Sequence, residues 1–110
     1  MKVLVTGGSG YIGTSLVPAL LKRDYEVTVL DNLMYDQNVF LECYINKNFS
    51  FIYGDIRDQS TIKKLASKSD VVIHLASIVD APACKKNETL AKEVNVDGTK
   101  NIIDHLSNNQ

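Results

Sequence analysis

This sequence predicts an α/β fold, a doubly wound parallel sheet with helices on both faces, and three observations carry that reading. Short apolar, β-branched runs alternate with amphipathic stretches along all 110 residues. The first run meets a cluster of glycines at once. The last run, residues 70–76, is apolar almost throughout, as a strand covered on both faces requires.

The elements follow in order. Residues 2–6 form a first strand, closed by glycines. Residues 11–23 form a helix in which Ile12, Leu16 and Leu20, with Val17 and Leu21 beside them, make one apolar face. Pro18 lies past its first turn, removes one backbone bond and should kink it at a cost of ~3 kcal/mol unless packing compensates. Residues 26–30 form a second strand ending at Asp31. Val39, Phe40 and Tyr44 allow a short helix within 32–48, and residues 49–53 form a third strand. Asp58 is placed to cap a helix from Gln59 to about Ser67 that buries Ile62 and Leu65. After the fourth strand, Asn87 or Thr89 opens a long helix with Leu90, Val94, Gly98, Ile102 and Leu106 on one stripe. Gly98 in that stripe predicts a close backbone approach to the sheet. Right-handed crossovers then lead to the strand order 3-2-1-4.

Composition narrows the function. Length allows one small domain. A net charge of −1 offers no footprint for nucleic acid or an anionic membrane. No run reaches the ~20 apolar residues that span a bilayer, and the apolar start breaks at once on glycine, unlike a signal peptide. Cys43 and Cys84 are far apart and read as reduced thiols of a cytoplasmic protein. His74 and His105 share no metal-site spacing, so no metal is expected.

The chemistry concentrates in the first turn, Thr6-Gly7-Gly8-Ser9-Gly10-Tyr11-Ile12-Gly13. It contains Gly8-x-Gly10-x-x-Gly13 and also Gly7-x-x-Gly10-x-x-Gly13. Glycines here let the chain reverse tightly, let the backbone approach a pyrophosphate, and let the helix lie close to the strand. The helix N-terminus then turns N–H groups and partial positive charge toward phosphate. A glycine triplet alone can be a mere structural turn. The strand before, the helix after, and Asp31 at the end of the next strand, 18 residues past Gly13, point instead to a dinucleotide. The Asp31 carboxylate can accept both ribose hydroxyls and repels a 2′-phosphate, and Asn32-Leu33 supplies no arginine, so NAD is favoured over NADP. A P-loop is excluded because no Gly-Lys-Ser/Thr follows.

These residues resemble the extended short-chain dehydrogenase/reductase family over essentially the whole chain. Beside the glycine turn, Asp31-Asn32-Leu33 is similar to the family's ribose-binding strand end, and Gly54-Asp55-Ile56-Arg57-Asp58 to its adenine-contacting turn. Val72-Ile73-His74-Leu75-Ala76-Ser77 resembles its fourth strand, and Asn95-Val96-Asp97-Gly98-Thr99 its helix motif. The stretch Ala76-Ser77-Ile78-Val79-Asp80-Ala81-Pro82-Ala83-Cys84 resembles a subgroup of NAD-dependent epimerase/dehydratase proteins acting on nucleotide-sugars. The resemblance implies the N-terminal portion of a Rossmann-like fold, with the C-terminal half and the substrate domain absent, so that 1–110 is a partial NAD-binding domain. It implies that Gly7, Gly10 and Gly13 frame the pyrophosphate, with backbone N–H groups from Tyr11 and Ile12. It assigns Asp31 and Asn32 to the adenosine ribose, and Asp55, with Ile56 beside it, to adenine. Leu75, Ala76 and Ser77 would run under the cofactor, and Asn95 would brace the active-site end of the sheet. It further implies a cytoplasmic oxidoreductase or isomerase that is a homodimer at full length.

Each residue has a plainer alternative. Asp55 and Asp58 can cap the following helix, His74 reads as a core histidine, Asn95 can be a satisfied buried amide, and Tyr11 can be packing alone. Cys84 has no visible base partner and is not read as a nucleophile. The family's chemistry needs a tyrosine with a lysine four residues later. Four residues after Tyr11, Tyr25, Tyr35, Tyr44 and Tyr53 stand Ser15, Val29, Val39, Asn48 and Arg57, so no catalytic residue is assigned in this chain. The chain therefore reads as a fragment, inactive alone, whose fourth strand has a bare edge that makes the isolated piece marginally stable or self-associating. A non-catalytic NAD-binding regulatory module is the alternative reading. A flavin-binding unit fits the glycines but not the other four motifs.

Overall fold

In the computed structural model, four strands form one parallel sheet in the order β3-β2-β1-β4, the order expected. The structure describes residues 1–34, 39–78 and 81–110, excepting the side chains at 81 and 83. Tyr35 and the pair Val79-Asp80, singled out in the sequence, lie outside the described residues. β1 (Lys2–Thr6) lies between β2 (Glu26–Asp31) and β4 (Val71–His74), and β2 pairs outward with β3 (Phe49–Tyr53).

Alternate residues of β1 enter two cores, because successive side chains of a strand point to opposite faces. Val3 and Val5 pack with Val27, Val29 and Val17 of α1 (Tyr11–Leu21). Leu4 packs on the other face with Leu30 of β2, Ile62 of α2 (Gln59–Ala66), and Val94 and Ile102 of the last helix. Helices therefore cover both faces of the sheet.

Several elements depart from expectation, each for a physical reason. α1 buries Gly13, Val17 and Leu21, while Ile12 is 62% exposed. Seating Gly13 against the glycine turn rotates the helix away from the face that Ile12, Leu16 and Leu20 predict. The helix carries Pro18 in its interior and ends two residues early, where Asp24 takes a left-handed φ of 61° and its N–H reaches the Leu21 carbonyl at 3.0 Å. Between β2 and β3 there is a 3-10 turn, Leu41–Ile45, anchored by buried Phe40, whose ring lies 5.4 Å from that of Phe49.

β4 is shorter than expected, and its residues are half-buried rather than covered on both faces. Among the described residues no strand pairs with its outer edge. Its last ladder bond runs from Leu75 N–H to the Thr6 carbonyl at 2.9 Å. A short helix, α3 (Ala81–Lys86), follows where the sequence showed none; Pro82 at its second position, where a missing N–H costs nothing, is the signal.

The last helix is continuous but not uniform: α4 (Glu88–Lys92), a π-helical segment (Glu93–Gly98) and α5 (Thr99–Asp104) follow one another. Asn87 caps it, its side chain accepting from the Leu90 N–H at 3.0 Å. A strict four-residue repeat drifts around an α-helix of 3.6 residues per turn. The wider π turn takes that drift back, so Val94, Gly98 and Ile102 are all buried. Gly98 does make a close approach, but to Ile56 in the β3–α2 turn rather than to the sheet: a Cβ there would lie 2.5 Å from Ile56 Cδ1.

Candidate functional site

The carboxyl ends of the strands open onto a cleft of about 450 Å³. The glycine turn forms one wall. Gly7 has a φ of 69°, and a Cβ on it would lie 2.5 Å from the backbone of Ala76. A Cβ on Gly13 would overlap the Gly8 carbonyl. Both glycines are thus demanded by the fold itself. Gly10 is different: its φ of −79° suits any residue, and a Cβ would meet only the Gly7 carbonyl at an ordinary 3.5 Å. Among the described residues nothing needs glycine at this position, which lines the cleft. Gly10 is also the N-cap of α1 and supplies no side-chain cap. Tyr11, 94% exposed, and Ile12 stand at the mouth.

Asp31 and Asn32 form the next part of the wall. The Asp31 carboxylate is held at both oxygens, by the Ser9 N–H at 2.9 Å and the Leu33 N–H at 2.8 Å. Ser9 lies in the glycine turn, so this bond ties the turn to the end of β2. Asn32 accepts from the Met34 N–H at 3.0 Å. The next turn brings Asp55 and Ile56 to the same cleft. Arg57 grips Asp55 through Nη2 at 2.7 Å and Nε at 3.0 Å, and reaches Glu93 on the π segment at 2.8 Å. The Arg57 hydrogen bonds hold the Asp55 carboxyl below its ordinary pKa, and Asp55 in turn raises that of Arg57. Of the two candidate caps, Asp58 takes the role, accepting from the Ser60 N–H at 3.1 Å. Asp55 instead turns back on Arg57.

The floor is the chain leaving β4: Leu75, Ala76 and Ser77 line it as expected. Asn95 is the one assigned residue that does not line the cleft. It stands behind the floor, its Oδ1 accepting from the Ile78 N–H at 2.6 Å and its Nδ2 donating to the Ile78 carbonyl at 2.7 Å. It is a satisfied amide that also braces the cleft. Cys84 donates to the same carbonyl at 3.1 Å. Replacing Asn95 by Ala strands the Ile78 N–H and leaves the Ile78 carbonyl only the Cys84 thiol, which should cost about 1–3 kcal/mol, read as a lower urea midpoint at unchanged slope. An unchanged midpoint would show that the floor holds without the brace.

The sequence missed Leu30, Met34, Gly54, Ile78 and Val94, which also line the cleft. Leu30, Ile78 and Val94 are buried core residues; they close the core on one side and the cleft on the other, a double duty that periodicity reads only as core. Met34 carries no sequence signal. His74 is a core residue as expected, half-buried with both ring nitrogens bonded. Among the described residues no group of His, Cys, Asp or Glu is placed to hold a metal ion, and no helix is long and apolar enough to cross a membrane.

The profile of the NAD dependent epimerase/dehydratase family matches residues 3–110. A UDP-N-acetyl-alpha-D-glucosaminuronate decarboxylase from Bacillus cytotoxicus is 34% identical over 102 residues, covering 93% of this chain and 32% of that protein. Among solved structures, DesIV, a dTDP-glucose 4,6-dehydratase from Streptomyces venezuelae with NAD bound, superposes with a TM-score of 0.87 at 31% identity, over 96% of this chain and 35% of that one. The UDP-glucuronic acid 4-epimerase from Bacillus cereus, in complex with UDP-glucuronic acid and NAD, gives 0.86 at 31% identity, over 96% and 36%. The chain spans about a third of the length of the relatives it matches.

Proposed function

The chain belongs to the NAD-dependent epimerase/dehydratase family, and from that premise we propose that its cleft binds NAD, as the cofactor-holding part of an enzyme that acts on a nucleotide-sugar. The observation that carries the reading is Gly10, a glycine the protein's own packing does not require, at an uncapped helix N-terminus in the cleft wall. A pyrophosphate lying there explains both features.

In this reading Gly7, Gly10 and Gly13 shape the turn, and the N–H groups of Tyr11 and Ile12 bind the phosphates. Asp31, with Asn32 beside it, receives the adenosine ribose. Its carboxylate accepts from two N–H groups, which leaves further lone pairs for the ribose hydroxyls. Asp55, oriented by Arg57, and Ile56 hold the adenine. Leu75, Ala76 and Ser77 support the nicotinamide side, with Asn95 fixing that segment from behind. Bound NAD supplies the acceptor and donor of a hydride at a sugar carbon. None of the five tyrosines is followed by a lysine four residues later, so the reading assigns no proton-moving residue to these 110 residues and takes them as inactive alone. The whole enzyme is assigned to the cytoplasm as a homodimer.

Titration with NAD and NADP tests the reading. NAD should bind at least about tenfold tighter, the difference that ~1.4 kcal/mol of like-charge repulsion at Asp31 gives. Asp31→Ala should abolish the preference. Equal affinity for the two cofactors, or no binding of either, would overturn the assignment.

A further inference from the structure

The two strands that lead into the cleft, β1 and β4, are joined at their ends by one side chain. Thr6 and His74 face each other in register, and the Thr6 hydroxyl lies 2.6 Å from His74 Nδ1. The other ring nitrogen, Nε2, lies 2.8 Å from the hydroxyl of Thr99 on α5. That hydroxyl donates to the Asn95 carbonyl at 2.8 Å. Asn95 in turn grips Ile78 through both its amide atoms. One imidazole thus connects the strand that enters the glycine turn, the floor of the cleft and the π segment behind it.

The directions of these bonds settle the ring's protonation. Thr99 spends its proton on Asn95, so toward His74 it is an acceptor, and Nε2 carries a hydrogen. The Thr6 hydroxyl then donates to a bare Nδ1. We propose that His74, neutral and with its proton on Nε2, is a positioning residue that locks the floor of the cleft to the glycine turn, so that protonating it weakens NAD binding. This rests on the NAD reading above and adds a role for a residue outside the cleft.

The consequence of adding a proton follows from burial. With Nδ1 protonated, the Thr6 hydroxyl must accept instead, and its own hydrogen loses its partner. Thr6 is completely buried, and its oxygen also lies 3.5 Å from the Ala76 N–H in the cleft floor. An unpartnered donor at such a place is relieved only by movement of β4 or of the floor. Burial alone lowers the imidazole pKa below its ordinary 6.5. Charges on the elements packed against it are occupied or exposed. Lys2 lies at the far end of β1 beside Glu26, Glu93 is bound to Arg57, and Asp97, Lys100 and Asp104 are exposed, with His105 bonded to the Asn101 carbonyl. A lowered pKa means that the neutral, binding-competent form is present above 6.5 and is lost as pH falls through the folded value.

The test is NAD affinity, measured by calorimetry from about pH 7.5 to about pH 5.5 with circular dichroism confirming the fold at each pH. Affinity should fall about fivefold or more over that range, a modest coupling between two sites. His74→Asn keeps an acceptor toward Thr6 and does not titrate, so its affinity should be flat with pH. As a check that needs no variant at this position, saturating NAD must shift the His74 imidazole titration to lower pH, because coupling is reciprocal. That resonance is assigned by comparison with His105→Gln. Binding by the natural protein that is independent of pH, or an imidazole titration unmoved by NAD, overturns this inference and leaves the NAD reading intact. No NAD binding at any pH overturns both.

Discussion

Gly13→Ala should destabilise the domain by about 3 kcal/mol, the upper end of what overpacking costs, and more than most single substitutions do. The added methyl would collide with the Gly8 carbonyl, so the clash is with backbone and not with the tip of a flexible side chain. Relief requires α1 to move off the glycine turn, and α1 carries Val17 and Leu21 into the core beneath it. Against a typical total stability of about 5–15 kcal/mol, this removes a large share. Urea unfolding followed by circular dichroism should show a midpoint lowered by about 1 M or more. A midpoint within error of the natural chain would mean that the turn relaxes freely and that the tight helix–turn contact is not required.

Gly10→Ala, three residues away, should do the reverse. Its methyl meets no backbone closer than 3.5 Å, and its φ of −79° is ordinary, so stability should change by less than about 1 kcal/mol. The methyl occupies the wall of the cleft, where the proposed pyrophosphate must approach. NAD affinity should fall at least about thirtyfold, the equivalent of the ~2 kcal/mol of a typical overpacked contact. The pair is informative because the two glycines belong to one sequence pattern yet separate into a folding role and a binding role. If Gly10→Ala bound NAD as well as the natural chain, the strongest support for the cofactor site would be gone.

Much of the fold was legible from local sequence. β1 and β3 came out with the boundaries expected, and Asp58 capped α2, because short apolar runs and a single capping residue act over a few neighbours. The order β3-β2-β1-β4 followed from the alternation of strands and helices together with the handedness of crossovers. The cleft was legible too. Every residue assigned to it except Asn95 lines it, since glycines and acids at strand ends mark where the chain leaves the ladder.

Other features needed the folded chain. Periodicity names the residues of a helical face but not its phase, so Ile12 was expected inside and stands 62% exposed at the cleft mouth. The phase is set by how closely Gly13 can approach Gly8. The stripe through Leu90, Val94, Gly98, Ile102 and Leu106 was visible, but not the π segment that keeps it aligned, because backbone widening leaves no signature in residue spacing. Asn95 could be named and not placed, since its partner Ile78 lies 17 residues away.

What the sequence alone determined about this protein is its element order, its sheet topology, its family resemblance and the set of residues that meet at the carboxyl edge. Those depend on interactions within a few residues and on chirality. What only the tertiary structure decided is which glycine serves the fold and which is left for a ligand, and how His74 ties Thr6 to Thr99. These depend on distances between groups far apart along the chain, 68 residues for Thr6 and His74, and nothing along the chain encodes such a distance until the core has packed.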